Sequence, residues 1–252
     1  MEVTFLGTGT SMGVPVAGGF RWEELAHDPR NQRSRCSAWI KTDQHSIIID
    51  TGPEFRIQSI RSRIQDVDHV LITHEHMDHI AGLDDLRVYN FKKSGPIPVY
   101  STESCVDSIK KRFDYMFGEN KYPGSTSLDL VVADSPFMIG EHEVTPLPVT
   151  HGKMAINGYR IDNFSYLTDV KDIPKSTRDL IRGSDVMVLS ALRWEPDHPT
   201  HLTIPQAVDI INELEVPEAY LIHMNSYVDH QPTNDRLPDH IKLAFDQQVI
   251  KV

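Results

Sequence analysis

The sequence predicts a single α+β domain over residues 1–252, and three observations support this fold class. Strand patterns and helix patterns are mixed along the whole chain. No Pro/Gly/Ser-rich tract divides the chain, and no repeat of solenoid length is visible. The composition, with 39% hydrophobic and 24% charged residues, is ordinary for a soluble globular protein with a large core.

Strands are predicted where short apolar or alternating runs are bounded by turn residues. In chain order, these runs are residues 3–6, 39–42, 46–50, 69–72, 97–100, 128–133, 137–139, 142–149, 159–162, 164–167, 186–189 and 219–222. Pro98 indicates a strand start or an edge strand, because proline cannot donate to a sheet ladder. Residues 7–13 superficially resemble a phosphate-binding loop but lack its Gly-Lys-Ser/Thr ending, so a tight turn packed near a site is favoured.

Helices are predicted where apolar residues recur three and four positions apart. These segments are residues 53–63, 80–89, 102–117 and 204–214. Asp78 and Thr203 stand where the N-caps of the second and fourth helices belong, since both types accept backbone N–H groups. Residues 17–36 contain glycines, a proline and several arginines and are predicted to form a polar connector.

Charge and composition exclude several classes of function. The net charge of −11 disfavours an extended nucleic-acid surface, which needs basic residues. Cys36 and Cys105 are too few for a disulfide framework or a cysteine-rich zinc site and indicate ordinary thiols in a reducing compartment. The N-terminal residues have no long apolar region typical of a secretion signal, and no run of about 18 apolar residues exists. A cytoplasmic location without membrane association is therefore expected.

Residues 73–79, Thr-His-Glu-His-Met-Asp-His, carry the strongest chemical signal in the chain. His74, His76, Asp78 and His79 follow an apolar run directly, and such crowding is costly unless a cation binds it. Imidazole and carboxylate ligands suit zinc, manganese or iron. The two halves of the motif can serve two neighbouring ions. Two ions need more ligands, and His151, Asp169 and His223 each follow a predicted strand.

The motif His-x-His-x-Asp-His, followed in order by His, Asp and His, resembles the metallo-β-lactamase superfamily. That resemblance implies a four-layer αβ/βα sandwich, in which two mixed β-sheets lie face to face with helices outside. It also implies two divalent ions, zinc or manganese, with iron or nickel as further possibilities. One ion would be held by His74, His76 and His151 and the other by Asp78, His79 and His223, with Asp169 and a water or hydroxide bridging them. Asp50, at the end of a strand, would support a ligand imidazole by fixing its tautomer.

Within the superfamily the chain resembles the phosphoribosyl 1,2-cyclic phosphate phosphodiesterase family of phosphonate breakdown. The shared segments are residues 6–9, 13–15, 73–79, 146–148, 158–159 and those around Asp169 and His201. The resemblance implies metal-dependent opening of a cyclic phosphodiester, with catalytic roles for Asp78 as a metal ligand and His201 as general acid. Lys153 is the candidate phosphate-binding residue, and the sequence does not decide whether Arg33 or Arg35 contacts substrate.

The chain departs from that phosphodiesterase family in one respect. Family members carry a cysteine-rich structural zinc site after the first glycine loop, completed by a later histidine. Here residues 16–35 contain no cysteine, and the later position is Ser226. We therefore expect no third metal and a differently shaped loop near the substrate.

Three other functions compete with a phosphodiesterase of small substrates. A tRNA 3′-processing endonuclease would use a similar metal set. However, the sequence has no long insertion of the kind that grips tRNA, and its net negative charge disfavours tRNA binding. A thioester or lactam hydrolase fits Asp78 and His201 less well, and a lactamase would need a secretion signal. A non-catalytic binding protein would have lost ligands. The expected partners are thus a small phosphodiester and, from the family alone, a second copy of the chain.

Overall fold

A computed structural model describes residues 1–93, 95–118, 121–122 and 124–252, and within them the chain forms two seven-stranded sheets. The first sheet contains β1 (Glu2–Gly7), β2 (Ser37–Lys41), β3 (Ser46–Ile49), β4 (His69–Leu71), β5 (Ile97–Ser101), β6 (Leu128–Val132) and β14 (Val249–Lys251). The second contains β7 (Phe137–Ile139), β8 (His142–His151), β9 (Met154–Ile161), β10 (Phe164–Leu167), β11 (Val186–Ser190), β12 (Glu218–Ile222) and β13 (Ile241–Leu243).

Both sheets are mixed in the same way. The first has the strand order β14-β1-β2-β3-β4-β5-β6, antiparallel up to β3 and parallel from β3 to β6. The second has the order β13-β12-β11-β10-β9-β8-β7, parallel from β10 to β13 and antiparallel from β7 to β10. Parallel neighbours place their carboxyl ends at one edge, so the loops after them converge.

Helices cover the outer face of each sheet. In chain order they are α1 (Trp22–Leu25), α2 (Phe55–Arg61), α3 (Met77–Ile80), α4 (Arg87–Asn90), α5 (Glu103–Arg112), α6 (Lys175–Ile181), α7 (Ile204–Glu213) and α8 (His230–Asn234). Short 3-10 helices span Pro29–Asn31, Leu83–Leu86 and Asp114–Met116. None of the helices formed by the described residues is long and apolar enough to cross a membrane.

Three apolar clusters hold the layers together. The cluster between the sheets joins residues such as Phe5 and Ile49 of the first sheet to Tyr166 and Val188 of the second. A second cluster lies under α2 and α5, and a third lies under α6 and α7. Residues 47–49 are three isoleucines with no exposed surface, as expected for a strand covered on both faces. The four-layer sandwich expected from the resemblance is therefore confirmed.

Several predicted elements are corrected by the structure. The helix predicted over 80–89 is broken into α3, a 3-10 turn and α4. The break lies at Gly82, where an added Cβ would stand 2.4 Å from the carbonyl oxygen of Gly52. Asp78 is not an N-cap, because α3 begins one residue earlier and His76 occupies the cap position. The predicted helix over 102–117 ends at Arg112 and continues as a 3-10 turn.

Smaller corrections concern strands and the connector. Pro98 is the second residue of β5, which lies between β4 and β6, so the strand-start prediction was right and the edge prediction was wrong. His151 is the last residue of β8 and does not follow it. The predicted polar connector contains α1 and a 3-10 turn, and β13 and β14 were not predicted. Thr203 caps α7 as predicted, with the reciprocal bonds of a capping box to Gln206.

Candidate metal centre

The segments that follow β4, β10 and β12, together with the end of β8, bring all the predicted metal ligands to one edge of the sandwich, and the loop after β3 adds Asp50. His74 and His79 have no exposed side-chain surface, and Asp169 and His223 are buried as well. His76 and Asp78 are half-buried and lie toward the opening. Side chains that are distant in sequence therefore meet because parallel strands end together.

The first predicted ligand set converges closely. The Nε2 atom of His74 lies 3.0 Å from Nδ1 of His76. His74, His76 and His151 each offer a ligand atom within 4.8 Å of the others. The ring centroid of His151 is 5.6 Å from that of His74 and 5.2 Å from that of His76. These distances suit three imidazoles that share one small cation.

Asp169 connects the remaining ligands. Its Oδ2 atom lies 3.2 Å from Nε2 of His79, and its Oδ1 atom lies 3.1 Å from Nε2 of His223. The Oδ2 atom of Asp78 lies 3.1 Å from the same His79 nitrogen. Asp169 also belongs to two of the three groups of side chains that could hold a cation among the described residues, one with His74 and His79 and one with His151 and His201.

The donor set fits divalent ions. Two ligand atoms on a tetrahedral zinc ion are about 3.4 Å apart, close to the separations measured around Asp169. The Nε2 atoms of His79 and His223 are buried and have no hydrogen-bond partner among the described residues, despite the nearby carboxylates. A buried polar atom without a partner costs about 1–3 kcal/mol. A cation between these atoms would account for their orientation and would remove the free-energy cost of leaving them unpaired.

Asp50 holds the imidazole of His79 in place. Its Oδ2 atom lies 2.7 Å from Nδ1 of His79 and accepts a hydrogen bond of 2.8 Å from the Thr73 hydroxyl. The backbone N–H of Thr73 donates to the other oxygen at 2.8 Å. With Nδ1 engaged by a carboxylate, the Nε2 atom of His79 points toward Asp78 and Asp169. This is the position that the predicted supporting role of Asp50 requires.

Sequence reasoning missed two supporting contacts and one backbone feature. Thr73 orients Asp50, and the backbone carbonyl of Thr200 lies 2.9 Å from Nδ1 of His151. Asp50, Asp169 and His223 have φ angles of 59°, 57° and 63°. Residues other than glycine rarely adopt this left-handed conformation, and it is concentrated at functional sites. The position of Thr73 directly before the motif could have pointed to its role, whereas the φ angles left no signal in the sequence.

Burial and neighbouring charges shift the pKa values of the site. Burial lowers the pKa of His74 well below its ordinary value, which keeps the imidazole neutral as a metal ligand must be. Burial also disfavours charge on His79, but Asp50 and Asp169 outweigh it and raise its pKa well above the ordinary value. Burial would raise the pKa of Asp169, yet His223 and His79 hold it well below its usual range. The carboxylates thus attract a proton or a cation to the same place.

His201 lies against the ligands. Its Nδ1 atom is buried without a hydrogen-bond partner among the described residues and stands 3.7 Å from Oδ1 of Asp169. Its ring centroid is 4.7 Å from those of both His151 and His223. Burial and, next, His223 lower the pKa of His201 to about 3. The side chain therefore lies directly beside the predicted ligands, and it is neutral near pH 7.

The three basic residues considered for substrate binding have different positions. Lys153 is exposed in the turn between β8 and β9, two residues beyond His151. Arg33 is 1% exposed and donates to Asn31, so it is an internal residue. Arg35 donates from Nε to the Ser11 carbonyl at 2.9 Å and forms an ion pair with Glu54. Lys153 is therefore the one of the three that stands free to meet a ligand.

Comparison with known proteins agrees with this site. Residues 45–224 match a family described as a β-lactamase superfamily domain. An octanoyltransferase from Porphyromonas gingivalis is 38% identical over 250 residues, which are 98% of this chain and 50% of that protein. A ribonuclease Z from Picosynechococcus sp. is 29% identical over 182 residues, which are 69% of this chain and 49% of that protein. The chain thus spans about half the length of these two relatives.

A solved structure agrees over the whole chain. It is that of a diphosphatase from the PhnP family, with 34% identity and a TM-score of 0.92, covering 100% of this chain and 97% of that one. The name of the octanoyltransferase describes a chain twice as long as the matched part, so it does not say which half carries the transferase activity. The diphosphatase has no such excess length.

Proposed function

Because the chain belongs to the metallo-β-lactamase superfamily of hydrolases, we propose that it is a metal-dependent phosphodiesterase that acts on a small phosphodiester. The observation that carries the proposal is the position of Asp169, whose two oxygens face His79 and His223 on either side. A carboxylate shared in this way suits two adjacent cations, and paired cations are typical of enzymes that hydrolyse phosphate esters.

The residues divide into two groups of ligands. His74, His76 and His151 would hold one ion, and Asp78, His79 and His223 would hold the other, with Asp169 shared. When bound, two divalent ions would lower the pKa of a shared water and offset charge on the phosphoryl oxygens. Asp50 keeps His79 oriented, and the Thr200 carbonyl does the same for His151. These contacts set the imidazoles before any ligand arrives, so little reorganisation is needed.

His201 is proposed as the general acid for the leaving alcohol. Its imidazole is neutral while burial and His223 hold its pKa near 3. A phosphodiester anion placed beside it would favour the protonated form and raise that pKa, because an opposite charge within about 4–6 Å stabilises imidazolium. His201 would then gain its proton with the substrate and pass it to the departing oxygen. Lys153 would contact the phosphate from the turn after β8.

Two features support a small substrate. The net charge of −11 is unsuited to a long nucleic-acid contact, which is dominated by phosphate pairing with lysine and arginine. The similarity over the whole chain is to a protein whose name describes a diphosphatase. We propose a cyclic ribose phosphate or a related small diester as the substrate class, cleaved to a phosphomonoester.

The test is turnover of bis(p-nitrophenyl) phosphate by protein reconstituted with manganese and, separately, with zinc. We expect metal-dependent hydrolysis of this diester and little action on p-nitrophenyl phosphate. His76→Ala, which removes a half-buried ligand, is the matched control and should lose most of the activity while retaining its melting temperature in the metal-free state. Absence of turnover with two ions bound per chain would refute the phosphodiesterase.

A second candidate, endonucleolytic processing of tRNA, is favoured by the ribonuclease Z relative. The same metal-loaded preparation can be incubated in parallel with a precursor tRNA and with a ribose cyclic phosphate. We expect the small substrate to be cleaved and the tRNA to remain intact. Cleavage of the tRNA with the cyclic phosphate untouched would reverse the assignment of substrate class.

A further inference from the structure

Residues 16–32, called the strap here, cross the loop that begins at the ligand His223. Arg21 clamps the two segments together. Its Nη1 atom donates to the Ser226 carbonyl at 2.6 Å, and its Nη2 atom donates to both carboxylate oxygens of Asp229 at 3.2 Å. Its Nε atom donates to Glu24 at 2.6 Å. One guanidinium thus bonds to three partners, which fixes the strap on the loop after β12.

Further contacts set the shape of the strap and attach its end. At its beginning, the Trp22 indole donates to the Val16 carbonyl at 2.8 Å, and Val16 and Phe20 form a β-bridge. At its end, the Asn31 side chain accepts a hydrogen bond of 2.8 Å from the backbone N–H of His230. The strap therefore has a defined shape although it contains little regular structure.

The strap and the loop each present one exposed aromatic ring, and the two rings touch. Phe20 is 44% exposed and Tyr227 is 64% exposed, so neither belongs to the core. Their ring centroids are 5.3 Å apart at an interplanar angle of 63°. Both residues thus keep a large part of their surface exposed to solvent while in contact. Arg21 is the neighbour of Phe20 and bonds to the neighbour of Tyr227, so the clamp sets the geometry of the pair.

The aromatic pair lies within reach of the metal centre. Tyr227 is four residues beyond His223, and a fully extended chain spans at most about 3.6 Å per residue, so their Cα atoms are within about 14 Å. The intervening Met224 is buried, and its carbonyl accepts a hydrogen bond of 3.3 Å from the backbone N–H of Thr10. This bond holds the loop after β12 against the loop after β1. A phosphodiester held at the metals could therefore extend a substituent to the pair.

We propose that Phe20 and Tyr227 determine specificity by stacking a planar ring carried by the substrate, so that the substrate class is a phosphodiester with a nucleobase or comparable aromatic group. This proposal rests on the proposed function. Stacking of one base on an aromatic side chain changes affinity by roughly 5- to 150-fold, independently of base identity. Arg21 acts as a positioning residue, because it is the neighbour of Phe20 and bonds to the Ser226 carbonyl beside Tyr227.

The test compares two phosphate monoesters, one with and one without an adenine base on the ribose. Titration calorimetry with zinc-loaded protein measures the dissociation constants of adenosine 5′-monophosphate and ribose 5-phosphate. We expect the adenosine ligand to bind about tenfold more tightly. The double variant Phe20→Ala, Tyr227→Ala should reduce that ratio to near one while leaving the affinity for ribose 5-phosphate within about twofold. Tyr227→Phe, which keeps the ring, should retain the preference.

Met138→Ala is the matched control, because Met138 is 56% exposed on β7 of the second sheet and lies outside the strap. It should leave both affinities unchanged. Equal binding of the two ligands by the unaltered protein would overturn the proposal, as would a preference that survives in the double variant. An equal loss for both ligands would show that the pair only supports the fold. Because these readouts measure binding, they stay separate from a failure to hydrolyse diesters.

Discussion

At the scale of single residues, Asp169 is the most constrained member of the metal centre. It has a positive φ angle and lies between His79 and His223, and it accepts a hydrogen bond of 2.9 Å from the Thr168 hydroxyl. It follows β10 by two residues. The sequence predicted its ligand role from that position at a strand end. The orientation of its two oxygens depends on β12, which is distant in sequence, and could not be predicted.

Asp169→Asn tests the shared carboxylate with little change of shape. Asparagine tolerates the left-handed backbone, so the substitution removes charge rather than local structure. We expect bound metal to fall from two ions to one or none, and kcat/KM to fall at least about 100-fold, because an amide is a weaker ligand. Plasma emission spectroscopy and diester turnover on the same sample measure both. Two retained ions with full activity would remove Asp169 from the site.

His201→Ala tests the proton donor through the leaving group. General acid catalysis contributes about 10²- to 10⁴-fold when the departing alcohol is a poor leaving group. We therefore expect kcat to fall by that amount on an alkyl ribose diester and by less than tenfold on bis(p-nitrophenyl) phosphate. His198→Ala is a suitable control, because His198 is a neighbouring imidazole 5.0 Å away in ring centroids. Equal losses on both substrates would mean that His201 is not the acid.

At the scale of elements, the strands were predicted better than the helices. Buried central strands such as β3 and β11 are short continuous apolar runs, so they stand out in the sequence. The segment from 80 to 89 was predicted as one helix because its apolar spacing is helical. Gly82 interrupts it, because its backbone packs against Thr51 and Gly52, a contact between loops that no local pattern encodes.

The first residue of α8, His230, makes the stability of the folded protein depend on pH. His230 is 3% exposed, and burial together with Arg30 and Arg33 lowers its pKa to about 4. The folded state therefore favours the neutral imidazole. Between pH 4 and the ordinary pKa of about 6.5 the unfolded chain binds more protons, so stability rises with pH over this window. The contribution is complete above pH 6.5 and is lost as the pH falls from 6.5 to 4.

His230→Gln should remove that dependence. Relative to the unaltered protein, the variant should gain on the order of 1–3 kcal/mol in free energy of unfolding when the pH is lowered from 7 to 4. Urea unfolding of the metal-free proteins at both pH values measures the difference, in which all other titrating groups cancel. His27→Gln, which alters an exposed histidine of the strap, is the control. A parallel pH profile for His230→Gln and the unaltered protein would contradict this account.

At the scale of the whole molecule, both sheets contribute ligands to one edge. The first sheet supplies the motif after β4, and the second supplies His151, Asp169 and His223. The order of ligands in the sequence was enough to predict this set and, by resemblance, the fold. The clamp at Arg21 and the Phe20–Tyr227 pair could not be predicted, because they depend on how the strap crosses a loop some 200 residues later.

Metal removal should destabilise the whole protein. Ions that bind the folded state only add about 4 kcal/mol to its stability at 1,000 times their dissociation constant. Chelation would leave the Nε2 atoms of His79 and His223 buried without a hydrogen-bond partner among the described residues. We expect the melting temperature to fall by several degrees in EDTA and to recover with zinc. His76→Ala should show a smaller response, and equal melting temperatures with and without chelator would refute a bound metal in the folded site.

The left-handed backbone at Asp50, Asp169 and His223 also limits how this site could decay over evolutionary time. In a gene copy released from selection for activity, the fold would still reject β-branched residues at these positions, since their Cβ clashes in this conformation. Asparagine and glycine would be accepted first, because both occupy it readily. A descendant of this protein that has lost activity should therefore be recognisable by Asn or Gly at these three positions within an otherwise intact sandwich.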